Sequence, residues 1–149
     1  MRMRLISAAI VALAALVALP PLVSGAIQGK LKAKLDGAQE VPDAGDPNGS
    51  GRAKVTVKVA ERKLCAKISF EGIADPSAAH VHKGKKGVSG PVAIGLWAET
   101  QTSSPVRTCA TSQKRSLLRK IARKPRNYYV NLHNSAYPAG AIRGQLKKR

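Results

Sequence analysis

The feature that most constrains this chain is a period-two alternation of apolar and polar residues that recurs along most of its length. Residues 27–36 alternate between apolar side chains and lysines, as expected for a β-strand with one buried face. Two further alternating runs, 52–60 and 64–70, are joined by a short polar turn and predict an antiparallel hairpin. The other segments with strand patterns are 77–83, 91–97, 127–134 and 141–146.

One segment has helical rather than strand periodicity. Leu117, Leu118, Ile121 and Ala122 form a single apolar stripe that ends before a proline, and Thr111 or Ser112 is placed to cap the helix. The segment before it, 99–112, is polar and contains proline. Many short antiparallel strands with one short amphipathic helix predict an all-β fold, either an antiparallel β-sandwich or a barrel.

The N-terminus has the layout of a secretory signal peptide. A basic start, Met1–Arg4, is followed by the apolar run 5–19 and then by a proline-containing segment of small residues. We expect residues 1–25 to be removed, which leaves a single domain over 26–149 without a membrane span. The alternative is a retained signal anchor, but the apolar run is short for a span of about 20 residues. The predicted location is therefore secreted or at the cell envelope.

The two cysteines are interpreted in the light of export. In an oxidising compartment, Cys65 and Cys109 are expected to form a structural disulfide. Their separation of 44 residues lacks the Cys-x-x-Cys spacing of redox enzymes.

The net charge of +18 is distributed unevenly along the sequence. All acidic residues lie at or before Glu99, so the last third of the chain is strongly cationic. This predicts an anionic partner, an envelope polymer or a lipid surface, unless the charges belong to an ordinary solvated helix face. Nucleic acid is an unexpected partner, because aromatic residues make up only 3% of the chain and no nucleic-acid-binding motif is present. The helical cations of this predicted surface are Lys114, Arg115, Arg119, Lys120, Arg123 and Lys124.

The three histidines lie in strand-like segments. Strand parity places His80 and His82 on one face, and it places Asn131, His133 and Arg143 opposite the apolar side of their own strands. If these strands are neighbours, the five residues share one polar face and form a candidate ligand-binding site.

A His-x-His pair with a third imidazole is a donor set that copper or zinc accepts. The metal ligands would be His80, His82 and His133. In the alternative interpretation, the imidazoles hydrogen-bond to neighbouring turns or face solvent. The histidine segments contain no carboxylate, so the sequence predicts no enzyme activity and no required cofactor.

Five short motifs, in order, resemble the CHRD (chordin) domain family over residues 30–146. They are GAQEVP (37–42), AHVHKG (79–84), GPV (90–92), YVNLH (129–133) and YPAGAIRGQL (137–146). The resemblance implies an immunoglobulin-like β-barrel or sandwich and an extracytoplasmic location, as in chordin and in exported bacterial proteins with a single copy. It implies no defined biochemical activity.

The sequence departs from the family pattern at two positions. Ala141 stands where the family usually has glutamate, and Asn134 follows His133 where the family usually has threonine. If the family site pairs this glutamate with Arg143 or with a histidine, the first departure removes that partner, and Arg143 would then be free to bind an external anion. The sequence as a whole favours a non-enzymatic binding or structural module, with copper or zinc binding as the alternative.

Overall fold

The predicted alternation is present in the first three strands of the computed structural model, which describes residues 28–149. β1 (Gln28–Asp36), β2 (Ser50–Lys58) and β3 (Lys63–Glu71) bury every second side chain along most of their length. β2 pairs antiparallel with both neighbours along its whole length, which confirms the predicted hairpin. The predicted signal peptide, 1–25, lies outside the described residues.

The remaining elements complete a nearly closed antiparallel barrel. These elements are β4 (Ala78–Lys83), β5 (Val92–Trp97), β6 (Val106–Ala110), α1 (Arg115–Arg123), β7 (Tyr128–His133), β8 (Ile142–Gln145) and β9 (Lys147–Lys148), with short 3-10 turns at Gly37–Gln39 and Pro125–Asn127. The strand order is β5-β4-β7-β8-β1-β2-β3-β6, and β9 pairs with β1. The two outer strands of this order meet where the Thr108 hydroxyl donates a hydrogen bond of 3.0 Å to the carbonyl of Leu96. The all-β prediction is confirmed.

The core lies inside the barrel and beneath α1. Inward-facing residues such as Leu31, Ile68 and Leu132 are fully buried. Leu118 and Ile121 of the predicted helical stripe are also fully buried, and each contributes about 1.5–3 kcal/mol of hydrophobic stabilisation. Within residues 28–149, no helix has both the length and the apolar character needed to cross a membrane.

The predicted cap of α1 is wrong. The helix begins at Arg115 after Lys114, and no side chain of the described residues caps it. Ser112 instead has a left-handed backbone with φ of +57°, and its carbonyl accepts a hydrogen bond from Arg62. Ser112 therefore belongs to the turn before the helix. Neither Thr111 nor Ser112 lies at the capping position, which Lys114 occupies.

The predicted disulfide is present. One of its two cysteines lies on a strand, β6, that the sequence pattern did not indicate. Cys65 of β3 and Cys109 of β6 are direct cross-strand partners with a Cα–Cα distance of 4.0 Å. In β6, Val106 alone faces the core as a large apolar residue. Pairing with β3 therefore defines this strand, which has no strong alternation of its own.

Candidate metal centre

Three neighbouring strands bring the predicted site residues into one row. β7 lies between β4 and β8, and Asn131 is the direct partner of both His80 and Arg143. Directly opposite residues in antiparallel strands share a face. His82 and His133 lie on that face two residues from His80 and Asn131, respectively. The predicted adjacency of the five residues is therefore confirmed.

The three imidazoles form a compact cluster. His80 Nδ1 and His133 Nε2 are 3.1 Å apart, and one ligand nitrogen from each histidine lies within 4.8 Å of the others. Two nitrogens bound about 2.1 Å from a tetrahedral metal are separated by about 3.4 Å. Small rotations of the side chains would bring all three nitrogens to that spacing.

Backbone carbonyls fix the tautomers of two of these histidines. His82 Nδ1 is 2.7 Å from the carbonyl of Gly90, and His133 Nδ1 is 3.0 Å from the carbonyl of Pro138. A carbonyl oxygen only accepts hydrogen bonds, so both Nδ1 atoms carry the proton and both Nε2 atoms keep a lone pair. Metal-binding histidines are typically oriented by such a second hydrogen bond. His82 Nε2 is buried and has no hydrogen-bond partner among residues 28–149, which leaves it available as a ligand.

The surroundings favour neutral imidazoles. Burial, together with the neighbouring His133 and His82, lowers the pKa of His80 from 6.5 to about 4. Burial also lowers the pKa of His133, although its bond to the Pro138 carbonyl opposes this effect. Neutral imidazole is the form that binds metal, so these two ligands need not lose a proton at neutral pH.

Asn131 adds an oxygen donor to the cluster. Its side chain is 3% exposed, and Oδ1 lies 3.2 Å from His133 Nε2. Because His133 Nε2 carries a lone pair, this contact places two acceptors against each other. A cation between the two atoms would relieve their repulsion and would gain a fourth ligand.

A comparison with protein families finds one match, which covers most of the described chain. The model of the CHRD domain matches residues 31–146. The chain belongs to the CHRD domain family. The match confirms the resemblance seen in the sequence and includes every residue of the cluster. Searches of curated proteins and of solved structures each returned no match.

Arg143 of this CHRD domain does not have the predicted freedom to bind an external anion. It faces away from the apolar core, as predicted, but it is only 1% exposed. Its Nη2 donates to the carbonyls of Lys85 and Val88, and its Cζ lies 3.4 Å from the centre of the Tyr129 ring. The loop between β4 and β5 therefore covers Arg143. The guanidinium holds that loop, whose Gly90 carbonyl orients His82.

A carboxylate lies beside Arg143 although position 141 is alanine. Ala141 is fully buried, and Glu40, which follows the first 3-10 turn, lies beside Arg143 and Asn131. Burial raises the pKa of Glu40 to about 7, against the opposing effects of Arg143 and of a hydrogen bond with Asn131. Gly140 leaves room for this carboxyl, since a Cβ at that position would lie 2.5 Å from Glu40 Cδ.

Sequence reasoning missed Glu40. It is 6% exposed, and its buried Oε1 has no hydrogen-bond partner in the part of the chain that the structure describes. The available signal was its position inside the motif GAQEVP (37–42), which resembles the family. The sequence places no acidic residue in the histidine segments. In the folded site, however, Glu40 contacts Asn131, whose Oδ1 lies beside His133.

Proposed function

We propose that this CHRD domain protein is an exported, non-enzymatic metal-binding protein that holds one copper or zinc ion between His80, His82 and His133. The observation that carries the proposal is the orientation of the imidazoles. Two of them are fixed by backbone carbonyls with unprotonated Nε2 atoms, and the third lies 3.1 Å from one of these atoms.

The donor set supports copper or zinc. Imidazole nitrogens suit both metals, and three histidines with one further position is a common arrangement for either. Asn131 Oδ1 lies close enough to take that further position. In the metal-free protein, His80 Nδ1 donates its proton to His133 Nε2. Metal binding would replace this shared hydrogen bond.

Two observations support the proposed location, and a third supports a non-enzymatic role. The signal-peptide pattern of residues 1–25 and the Cys65–Cys109 disulfide both suit an oxidising compartment, either outside the cell or at its envelope. Among the described residues, no carboxylate hydrogen-bonds to any of the three imidazoles. A general base beside the metal is therefore not part of the proposal.

The test is metal titration of the purified protein, with elemental analysis of the isolated complex. We expect one equivalent of copper or zinc to bind. His82→Ala should lower the affinity by more than the roughly 10–100-fold that loss of an outer-shell partner costs. Ser77→Ala is the matched control, since its hydroxyl makes only a 3.4 Å contact with the carbonyl of His133.

Binding of far less than one equivalent to the folded protein would contradict the proposal. Equal affinity of the His82→Ala and Ser77→Ala variants would contradict it too, because the ion would then bind elsewhere. Circular dichroism of both variants verifies that they are folded.

A further inference from the structure

Five cationic residues lie side by side on the outer face of the barrel, on five adjacent strands. Cross-strand pairing joins Lys147 of β9 to Lys32 of β1, Lys32 to Lys54 of β2, Lys54 to Lys67 of β3, and Lys67 to Arg107 of β6. We refer to these five residues as the cationic ladder. Directly opposite residues point to the same face, so the five side chains form one row across the strands.

The ladder is exposed and evenly spaced. Neighbouring strands are about 4.8 Å apart, so the row is about 19 Å long. Four of the five residues are exposed and Lys67 is partly exposed. An open groove of about 510 Å³ follows the row between Lys54, Lys67 and Arg107, over the disulfide.

No acidic residue neutralises this row. Among the residues that the structure describes, the ion pairs join Glu61 to Lys58 and Lys63, at the turn after β2. The nearest acids along β1 and β3 are Asp36 and Glu71, each four residues from the ladder, or about 13 Å. That distance exceeds the screening length of about 8 Å at physiological salt. Like charges in direct opposition destabilise a sheet, so this arrangement favours an anionic partner.

We infer that the cationic ladder binds a linear polymer that carries phosphate groups along its main chain. The five charges follow one another along the curved outer face of the barrel, so a flexible linear polyanion can contact all of them, whereas a single compact anion cannot. Four of the five residues are lysines, whose ammonium groups act as point charges and do not need the paired geometry that an arginine fork recognises. This surface is different from the helical one predicted from the sequence, because the ladder lies on five strands and the helical cations lie on α1 and its ends, where they are also exposed.

The outward-facing side chains argue against other classes of partner. In the described strands β1, β2, β3, β6 and β9, the outward positions hold no aromatic side chain on which a base or a sugar ring could stack. Large exposed apolar residues among the described residues are Val88 and Val92, which lie in and beside the loop before β5. The ladder therefore lacks an apolar anchor for a lipid surface.

The experiment measures binding of the purified protein to inorganic polyphosphate at 50 and 200 mM salt. Five contacts predict that affinity falls about 100-fold between these concentrations. In a triple variant, Lys32→Gln, Lys54→Gln and Lys67→Gln, we expect at least about tenfold weaker binding at 50 mM salt. Because this variant keeps only two of the five contacts, its affinity should fall only about sevenfold between 50 and 200 mM salt.

A second triple variant, Lys114→Gln, Lys120→Gln and Lys124→Gln on α1 and its ends, is the matched control because it removes the same net charge. It should bind within about twofold of the unmodified protein. Equal losses in the two triple variants would show an effect of net charge alone and would overturn the inference. A larger loss in the helical variant would assign binding to the helix instead.

Three comparison ligands test the class of partner. Poly-γ-glutamate, single-stranded DNA and phosphatidylglycerol vesicles should each bind more weakly than polyphosphate at 200 mM salt. Tighter binding of poly-γ-glutamate or of the vesicles would replace the phosphate polymer with that class. Tighter binding of single-stranded DNA would show that bases are recognised in addition to the phosphate chain, which would overturn the inference. Failure to bind polyphosphate at 50 mM salt would also overturn the inference. Melting temperatures of both triple variants verify that they are folded.

Discussion

Replacing Lys54 by glutamate is expected to stabilise the protein, because Lys54 lies directly between Lys32 and Lys67 in the cationic ladder. Two unit charges about 5.5 Å apart in water interact by about 0.75 kcal/mol, and physiological salt reduces this to about 0.4 kcal/mol. The substitution changes two repulsions into two attractions. The free energy of unfolding should therefore rise by about 1.5 kcal/mol, which raises the melting temperature by roughly 5 °C for a domain of this size.

The assay is thermal unfolding of Lys54→Glu at 0.15 M and 1 M salt. At 1 M salt the screening length is about 3 Å, so the gain should fall to about a third. Lys58→Glu is the matched control on the same strand. It loses an ion pair of 3.1 Å with Glu61 and gains an attraction to the opposing Lys63, so little change is expected. If the two variants give equal shifts, or if the gain does not depend on salt, the ladder charges do not interact as argued.

Three further predictions concern stability. Reducing the Cys65–Cys109 disulfide opens a link across 44 residues and should lower the free energy of unfolding by about 3–4 kcal/mol, measured by urea unfolding. Insensitivity to reductant would contradict this. Because burial raises the pKa of Glu40 to about 7, the folded protein loses stability as pH rises from about 4.5 to 7. The stability of Glu40→Gln relative to the unmodified protein should therefore rise by on the order of 3 kcal/mol between pH 4.5 and 7. A stability difference that stays constant across this pH range would refute the prediction. The pKa of His80, lowered to about 4, has the opposite effect, because the unfolded chain binds protons more readily between pH 6.5 and 4. His80→Gln should therefore lose less stability on acidification than the unmodified protein. An equal loss in urea unfolding would argue against a neutral, partly buried His80.

The strands that were predicted are those whose local pattern reflects burial. In β1, the alternation of lysines with Leu31, Ala33 and Leu35 corresponds to a sheet with one buried face. β6 has one large inward-facing apolar residue, Val106, and its pairing with β3 depends on a contact across more than 40 residues. A local pattern could not indicate that strand.

The candidate site was predictable in part for the same reason. Strand parity placed His80, Asn131 and His133 on one face, and pairing with neighbouring strands brought them together. The burial of Arg143 and the position of Glu40 depend on loops that cover this face, and neither loop carries a local signal of where it packs. The sequence therefore indicated the three histidines as candidate metal ligands. The backbone carbonyls that orient two of them could be identified only in the folded chain.

In the proposed complex, three imidazoles surround one metal position. Crystals of the protein grown with zinc and measured at the zinc absorption edge test this arrangement. We expect one anomalous peak about 2.0–2.1 Å from His82 Nε2, His133 Nε2 and a ring nitrogen of His80, with Asn131 Oδ1 beside it. A fully formed His80–His133 hydrogen bond without a peak, or a peak at other residues, would show that the three histidines do not hold the ion.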